Sequence, residues 1–167
     1  MSVLMRALTY AILFVGLVLV FVPARLLSWA GIVQPESRGL PQIVGMLAAA
    51  AGAGLALWCV LAFALVGRGT PAPFDPPCRL VRAGPYRFVR NPMYIGAGLA
   101  LAGAALFYES LVLLVYMVLL FLAAHLFVVF HEEPSLRRNF GEQYGAYCKA
   151  VGRWVPKLQT NPAERDR

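Results

Sequence analysis

The chain has 167 residues, of which 60% are hydrophobic and 14% charged, and its mean hydropathy is +0.67. A soluble domain holds about 45–50% apolar and about 25% charged residues, and a single domain of this length cannot bury so large an apolar excess in its own core. The composition therefore excludes an ordinary soluble domain, and the net charge of +7 favours contact with anionic lipid headgroups or an anionic substrate rather than with nucleic acid.

Four apolar runs predict an all-α, polytopic membrane protein with about four transmembrane helices. In chain order they span 7–27, 40–66, 93–107 and 110–130. A helix needs about 20 residues to cross the hydrocarbon of a bilayer, and only the third run falls clearly short of that length. A short turn separates the third run from the fourth, so these two runs are predicted to form a C-terminal helical hairpin.

The first run follows Arg6 and has the apolar character of a signal peptide. No clear A-x-A cleavage site comes after it, so we expect a retained first helix, with a cleaved signal peptide as the alternative.

Small residues recur at every fourth position in the second and third runs. Such stripes let helix backbones approach each other closely in lipid, and we interpret them as ordinary packing surfaces, within one chain or between chains. The two stripes are Gly45, Ala49 and Ala53, and Gly96, Ala100 and Ala104.

Basic residues are concentrated on one side of the predicted bundle. The loop 67–91 has five arginines and one acidic residue, and the chain after His131 has seven lysines and arginines. By the positive-inside rule both segments face the cytoplasm, and with four helices both termini do so as well. The predicted organisation is a single membrane domain, 1–167, which consists of two transmembrane helices in 1–66, a cytoplasmic loop in 67–92, the hairpin in 93–131 and a cytoplasmic tail in 132–167.

The loop and the tail differ in character. Four prolines between residues 70 and 77 predict a stiff extended segment that leads to Cys78. The tail is predicted to form an amphipathic helix that lies on the membrane surface or caps the bundle and ends near Trp154 and Pro156. Its apolar residues recur three or four positions apart, at Leu136, Phe140, Tyr144, Tyr147 and Val151.

Two polar clusters lie where the hairpin helices meet the predicted cytoplasmic side, and the hairpin should bring them together. One is the segment 84–94, and the other contains Glu132 and Glu133. Two carboxylates at a helix C-terminus repel each other and oppose the helix dipole. They are either solvated charges paired with Arg87 or Arg90, or ligand groups that work with the arginines to bind a zwitterion.

Two further polar residues lie along the hairpin. His125 is within the fourth run, where a histidine is a functional candidate, although a lone one is more often a hydrogen-bond partner within the bundle. Glu109 lies at the opposite end of the hairpin and is expected to contact headgroups or water.

The polar clusters contain two ordered motifs that resemble a known superfamily. The first is Gly84-Pro85-Tyr86-Arg87-x-x-Arg90-Asn91-Pro92-Met93-Tyr94-x-Gly96. The second is Glu132-Glu133-x-x-Leu136, followed by Phe140-Gly141-x-x-Tyr144-x-x-Tyr147 and Val151-x-Arg153-Trp154-x-Pro156. Over residues 80–156 the chain is similar to the membrane-embedded isoprenylcysteine carboxyl methyltransferase and phospholipid methyltransferase superfamily.

The resemblance implies a methyltransferase whose cofactor is S-adenosylmethionine and whose substrate is a lipophilic carboxylate, amine or thiol that enters from the bilayer. As catalytic residues it implies Glu133, which would assist deprotonation of an amine, and Arg153, which would orient the substrate. The implied cofactor-binding residues are Leu80, Val81, Tyr86, Asn91, Pro92, Met93 and Tyr94, together with one of the two glutamates Glu132 and Glu133. Many members have His-Pro-x-Tyr where this chain has Asn91-Pro92-Met93-Tyr94, and asparagine cannot titrate near neutral pH, so Asn91 is not expected to be a general base.

Methyl transfer from a sulfonium requires alignment of donor and acceptor and exclusion of water, but neither a covalent nucleophile nor a metal. In agreement, Cys59, Cys78 and Cys148 are widely spaced and form no CxxC pair, so no disulfide framework or metal site is predicted. The expected partners are the lipid bilayer and a lipophilic small molecule, with the oligomeric state left open. The alternatives are a non-catalytic lipid-binding membrane protein and a nicotinamide-dependent membrane reductase.

Overall fold

The computed structural model describes residues 16–33, 39–67 and 79–157, together with Met5, Thr9, Leu13 and Pro35. The proline-rich segment 70–77, Cys78, most of the chain before Gly16 and the tail beyond Lys157 lie outside these residues. Within the described ranges all regular structure is helical, and the one isolated bridge joins Val89 and Gly152. The predicted all-α class is therefore confirmed for this part of the chain.

Five α-helices follow one another along the described chain. They are α1 (Val22–Trp29), α2 (Leu40–Ala62), α3 (Pro92–Phe107), α4 (Leu111–Phe127) and α5 (Glu133–Ala150). Three π-helical segments extend them: Gly16–Phe21 leads into α1, Phe63–Gly67 continues α2, and Val128–Glu132 joins α4 to α5. A 3-10 turn, Gly84–Arg87, precedes α3.

Two of the helical stretches have the length and hydropathy of a membrane span. They are Leu40–Gly67 and Leu111–Ala150, while Gly16–Trp29 and Pro92–Phe107 are apolar but shorter. In the second stretch the apolar sequence ends at Phe130, and the polar residues from His131 onward lie beyond it. The α4 side chains of Leu114, Val118 and Leu122 are exposed, as expected of a surface that faces lipid. The number of crossings remains a prediction.

The most extensive contact in the described chain is between α2 and α3, and small residues form it. A Cβ atom added to Gly45 would lie 2.6 Å from the Gly103 carbonyl oxygen, and one added to Gly96 would lie 2.8 Å from the Gly52 carbonyl oxygen. The two backbones therefore touch directly, as glycine permits. The facing stripes are Gly45, Ala49, Gly52 and Ala56 on α2, and Gly96, Ala100 and Gly103 on α3.

The predicted stripes were partly wrong. Ala53 is exposed, and Ala104 packs instead against the buried cluster that contains Leu27 and Leu113. A strict four-residue repeat drifts around a helix of 3.6 residues per turn, whereas alternating steps of four and three stay on one face. Gly52 and Gly103 therefore take the places that had been predicted for the two alanines.

A tight turn joins α3 to α4 at the end of the bundle opposite the polar clusters. Glu109 in this turn has a positive φ of 48°, and the Ser110 side chain caps α4 by accepting a hydrogen bond from the Leu113 amide at 3.3 Å. Gln42 at the start of α2 is buried and donates to the Glu109 carboxylate at 2.8 Å. Glu109 is exposed, as expected, but it also ties the hairpin turn to α2.

The helix α5 carries the aromatic residues of the predicted tail helix. It bends at Gly141, whose φ is +50°. Tyr144, Tyr147 and Val151 form a buried cluster, and Leu80 from the segment before α3 packs against it. This cluster therefore packs against the segment that precedes α3.

Candidate functional site

A small pocket lies at this polar end, where α2, α3 and α4 come together. The π segment after α2 contributes Phe63, and the 3-10 turn contributes Tyr86. The other lining residues come from the start of α3 and from the π segment after α4. The full lining is Phe63, Tyr86, Arg90, Asn91, Met93, Tyr94 and Glu132.

The 3-10 turn positions Tyr86. Its first residue, Gly84, has a φ of +59°, and a Cβ atom there would lie 3.1 Å from the indole nitrogen of Trp58, so the turn requires glycine. Tyr86 then packs edge-on against Phe63 at 5.3 Å between ring centroids, and its carbonyl oxygen accepts a hydrogen bond from the Tyr147 hydroxyl at 2.6 Å. Burial, with a smaller contribution from Cys59, raises the pKa of Tyr86 well above its ordinary value, so the phenol stays neutral.

The start of α3 is joined to the chain that follows α5. The Arg90 amide donates to the Gly152 carbonyl oxygen at 2.8 Å, and the Asn91 amide group donates to the Arg153 carbonyl oxygen at 3.2 Å. Asn91 therefore does not cap α3, which begins with the buried Pro92. Its side chain instead joins the start of α3 to the chain after α5.

Glu132 is the acidic residue of the pocket. It is partly buried, and its Oε2 accepts a hydrogen bond from the Tyr94 hydroxyl at 3.1 Å. Among the described residues no cation forms an ion pair with it. Burial raises the pKa of Glu132, the Tyr94 hydrogen bond opposes that shift, and the neighbouring charge of Glu133 adds to it.

Glu133 has the opposite environment. It is 7% exposed and forms a bidentate pair with Arg153, from Nε to Oε1 at 2.6 Å and from one terminal nitrogen to Oε2 at 3.0 Å. Arg90 pairs with the same carboxylate at 3.2 Å. Burial alone would raise the pKa of Glu133, but the hydrogen bonds from Arg153 and the charges of Arg90, Arg153 and Arg137 hold it below its ordinary value.

Arg90 connects the ion pairs to the pocket. One terminal nitrogen contacts Glu133, the Tyr144 hydroxyl at 3.4 Å and the Cys148 sulfur at 2.6 Å. Its Nε is buried and has no hydrogen-bond partner in the described structure. A buried unpaired donor is costly unless a ligand satisfies it. Glu132 and Arg90 thus both line the pocket, Glu132 has no cation beside it among the described residues, and Arg90 has one buried N–H without a partner.

The structure brings together five of the residues predicted to bind the cofactor: Tyr86, Asn91, Met93, Tyr94 and Glu132. The remaining predicted residues do not line the pocket. Val81 packs in the buried cluster with Cys59, Ala62 and Tyr86, and Leu80 packs on the α5 aromatic residues. Pro92 is fully buried at the start of α3. The predicted catalytic residues Glu133 and Arg153 pair with each other and do not line the pocket.

Three residues near the site were not among the predicted site residues. Phe63 lies in an apolar run, where nothing in the sequence separates it from residues that face lipid. The sequence predicts Arg90 only as a partner of the glutamates or as one of the arginines that bind a zwitterion with them. The sequence predicts Trp154 only as the end of the tail helix, whereas in the structure its indole nitrogen donates to Nδ1 of His125 at 3.0 Å.

The chain matches one family model, that of phospholipid methyltransferase, over residues 40–143. The match covers more than half of the chain and includes all seven residues that line the pocket. No curated protein and no solved structure matches the chain.

Proposed function

The chain belongs to the phospholipid methyltransferase family, and we propose that it transfers a methyl group from S-adenosylmethionine to a lipophilic small molecule at the cytoplasmic face of a membrane. Membership of this family implies an enzyme that methylates lipid-type substrates. The apolar helices Leu40–Gly67 and Leu111–Ala150 fit a membrane location. The cofactor, the site residues and the orientation are the parts that we propose.

The observation that carries the proposal is that Glu132 and Arg90 both line the pocket. S-adenosylmethionine has two cationic groups, the sulfonium and the ammonium, and one carboxylate. An uncompensated glutamate suits a cationic group, and the unpaired Nε–H of Arg90 suits a carboxylate. The rings of Phe63 and Tyr86 add an apolar surface that suits a purine. The donor set of the pocket therefore fits the cofactor.

When bound, S-adenosylmethionine supplies an electrophilic methyl group. The contribution of the chain is to hold its partners in line and to exclude water. In the proposal Tyr86, Asn91, Met93, Tyr94 and Glu132 hold the cofactor, while Leu80, Val81 and Pro92 support that wall from behind.

Glu133 receives a revised role. Its two arginine partners and lowered pKa make it a weak base, so we assign it to hold Arg90 and Arg153 in place. Arg153, whose side chain is 34% exposed, remains the proposed group that orients the substrate. A carboxylate acceptor suits this site best, because it is already anionic and needs no base.

The proposed orientation follows from charge. Seven exposed basic residues lie at the pocket end of the described chain, against one exposed acidic residue, Glu142. This excess supports a cytoplasmic pocket by the positive-inside rule. We further propose four crossings, cytoplasmic termini and a single domain in which α5 is the amphipathic tail helix. The basic residues are Arg79, Arg82, Arg87, Arg137, Arg138, Lys149 and Lys157.

Isothermal titration of the detergent-purified protein with S-adenosylhomocysteine, the expected product, tests the proposal. We expect micromolar binding that Tyr94→Phe weakens about tenfold, because the variant removes the hydroxyl that orients Glu132. Tyr116→Phe is the matched control: it also removes a hydroxyl with one hydrogen bond, to the Val18 carbonyl oxygen, but Tyr116 is not part of the pocket lining.

Absence of binding by folded protein would refute the proposal. A positive titration with a nicotinamide cofactor would then favour a reductase, and a negative one a non-catalytic lipid-binding protein.

A further inference from the structure

The chain that follows α5 crosses the site and is attached to it at several points. Its backbone accepts hydrogen bonds from the Arg90 amide and from the Asn91 side chain. Two adjacent side chains of this segment then contact different partners. Arg153 pairs with Glu133, and Trp154 bonds to His125 on α4. This segment lies outside the residues that match the family model.

Trp154 packs between two helices. Its ring centroid lies 4.8 Å from that of Phe121 and 5.9 Å from that of His125, both on α4. On the other side it meets the ring of Tyr94, on α3, edge-on at 6.3 Å. The indole therefore forms a wedge that is bonded to α4 and packed against the tyrosine of the pocket.

Tyr94 links this wedge to the acidic residue of the pocket. Its hydroxyl donates to Glu132, so the direction of the hydroxyl depends on the position of the ring. The edge contact with Trp154 restricts that position. An unbroken series of contacts thus runs from His125 through Trp154 and Tyr94 to Glu132.

His125 gives the wedge its orientation. An imidazole in an apolar helix is costly unless it is paired, and here Nδ1 of His125 accepts a hydrogen bond from the Trp154 indole N–H. A hydrogen bond in such a low-dielectric environment is stronger than one in water. The bond therefore holds the indole plane in one direction relative to Tyr94.

We propose that Trp154, held by His125, is a positioning residue of the cofactor site: it acts through Tyr94 to orient the Glu132 carboxylate toward the cationic part of the ligand. The inference rests on the proposed function. It also gives the histidine within the membrane helix a role in binding without any contact with the ligand.

The test is the dissociation constant of S-adenosylhomocysteine, measured by calorimetry on the full chain in detergent. We expect Trp154→Phe, which keeps a ring but removes the N–H, to weaken binding about three- to tenfold. His125→Leu should weaken it by a similar factor, and the double variant should be no weaker than either single one. His125→Gln should restore most of the affinity, because its amide oxygen can accept the indole N–H.

A second comparison tests whether Trp154 acts on binding through Tyr94 or only by supporting the fold. In a Tyr94→Phe background the Trp154→Phe change should have no further effect on the dissociation constant, since the hydroxyl through which it acts is gone. A Trp154→Phe effect that persists undiminished in this background would overturn the proposal. So would binding equal to that of the parent in both Trp154→Phe and His125→Leu.

The unfolding midpoint of each variant without ligand is measured in parallel. If Trp154→Phe does not fold, the dissociation constants of His125→Leu and His125→Gln are compared instead. Both are measured with Tyr94 present and with Tyr94→Phe. If the folded parent does not bind S-adenosylhomocysteine at all, the proposed function itself fails, which is a different outcome from a parent that binds and variants that bind equally well.

Discussion

The two adjacent glutamates are expected to respond to the same substitution in opposite ways. Glu133→Gln should destabilise the fold, because it leaves Arg90 and Arg153 without their carboxylate. Loss of one partner of a buried ion pair costs about 3–5 kcal/mol. The Arg153 side chain is 34% exposed and can turn to water, whereas that of Arg90 is 11% exposed and cannot. We therefore expect a loss near the lower limit, about 3 kcal/mol.

Glu132→Gln should leave the fold as stable or slightly more stable. Burial raises the pKa of Glu132, which means that the folded protein disfavours its charge, and a neutral amide removes that penalty. The amide oxygen can still accept the Tyr94 hydrogen bond. Affinity for S-adenosylhomocysteine should fall at least about tenfold, the value of a hydrogen bond to a charged group.

Denaturant unfolding in detergent, followed by tryptophan fluorescence, measures the first effect, and calorimetric titration measures the second. Glu142→Gln is the control for both, since Glu142 is an exposed carboxylate on α5 and should change neither quantity. The reasoning is refuted if Glu133→Gln retains full stability and abolishes binding while Glu132→Gln binds normally. That result would assign the ligand contact to Glu133.

Three further outcomes follow from the geometry. Gly52→Ala should lower the free energy of unfolding by about 1–3 kcal/mol more than Gly54→Ala in the same assay. A Cβ atom at Gly52 meets the α3 backbone, whereas one at Gly54 meets nothing. The gain in helix propensity is the same for both variants and cancels in the comparison. Ser110→Ala should cost about 1 kcal/mol of stability through loss of the cap on the Leu113 amide, seen as a lower unfolding midpoint. Affinity for S-adenosylhomocysteine should fall as the pH drops through the raised pKa of Glu132, because the protonated acid loses its attraction for a cation; Glu132→Gln should flatten this calorimetric pH profile.

The apolar helices could be predicted because their hydropathy is high over the whole run. The apolar runs 40–66 and 110–130 correspond closely to α2 with its π segment and to α4 with the following π segment. The small-residue contact between α2 and α3 was located on the right helices but assigned partly to the wrong residues. A rule of strict four-residue spacing ignores the 3.6-residue turn, and Gly52 is the residue that it missed.

The division of roles between Glu132 and Glu133 could not be predicted. Side chains of adjacent helix residues point about 100° apart. The sequence therefore does not show which of the two glutamates faces the ligand. The direction of each depends on the π segment Val128–Glu132, which no periodicity of apolar residues reveals. It also depends on Arg153, which follows Glu133 by twenty residues and returns only because α5 bends and the chain then folds back beside Val89.

The pocket residues that could be predicted from the sequence are those that lie in a motif. Tyr86, Asn91, Met93, Tyr94 and Glu132 all do, and the structure brings them together. Phe63 lines the pocket because the apolar run that contains it packs there. Trp154 contacts Tyr94 because the chain after α5 folds back onto the site. Phe63 carries no signal that distinguishes it from an ordinary residue in contact with lipid. Trp154 lies in the second motif, but the sequence predicts it only as the end of the tail helix.

The different environments of the Glu132 and Glu133 carboxylates argue for a ligand at Glu132. A fold selected for stability alone would neutralise both charges or remove them, since a buried charge without a partner is costly. Here two arginines converge on Glu133, while Glu132, one residue away, has only a tyrosine hydroxyl. The unused donor is on Arg90, one of those same arginines, and it lines the same pocket. A carboxylate without a cation and a buried N–H without an acceptor, on two residues of one pocket, are each destabilising in the protein without ligand, and a zwitterionic ligand would satisfy both at once.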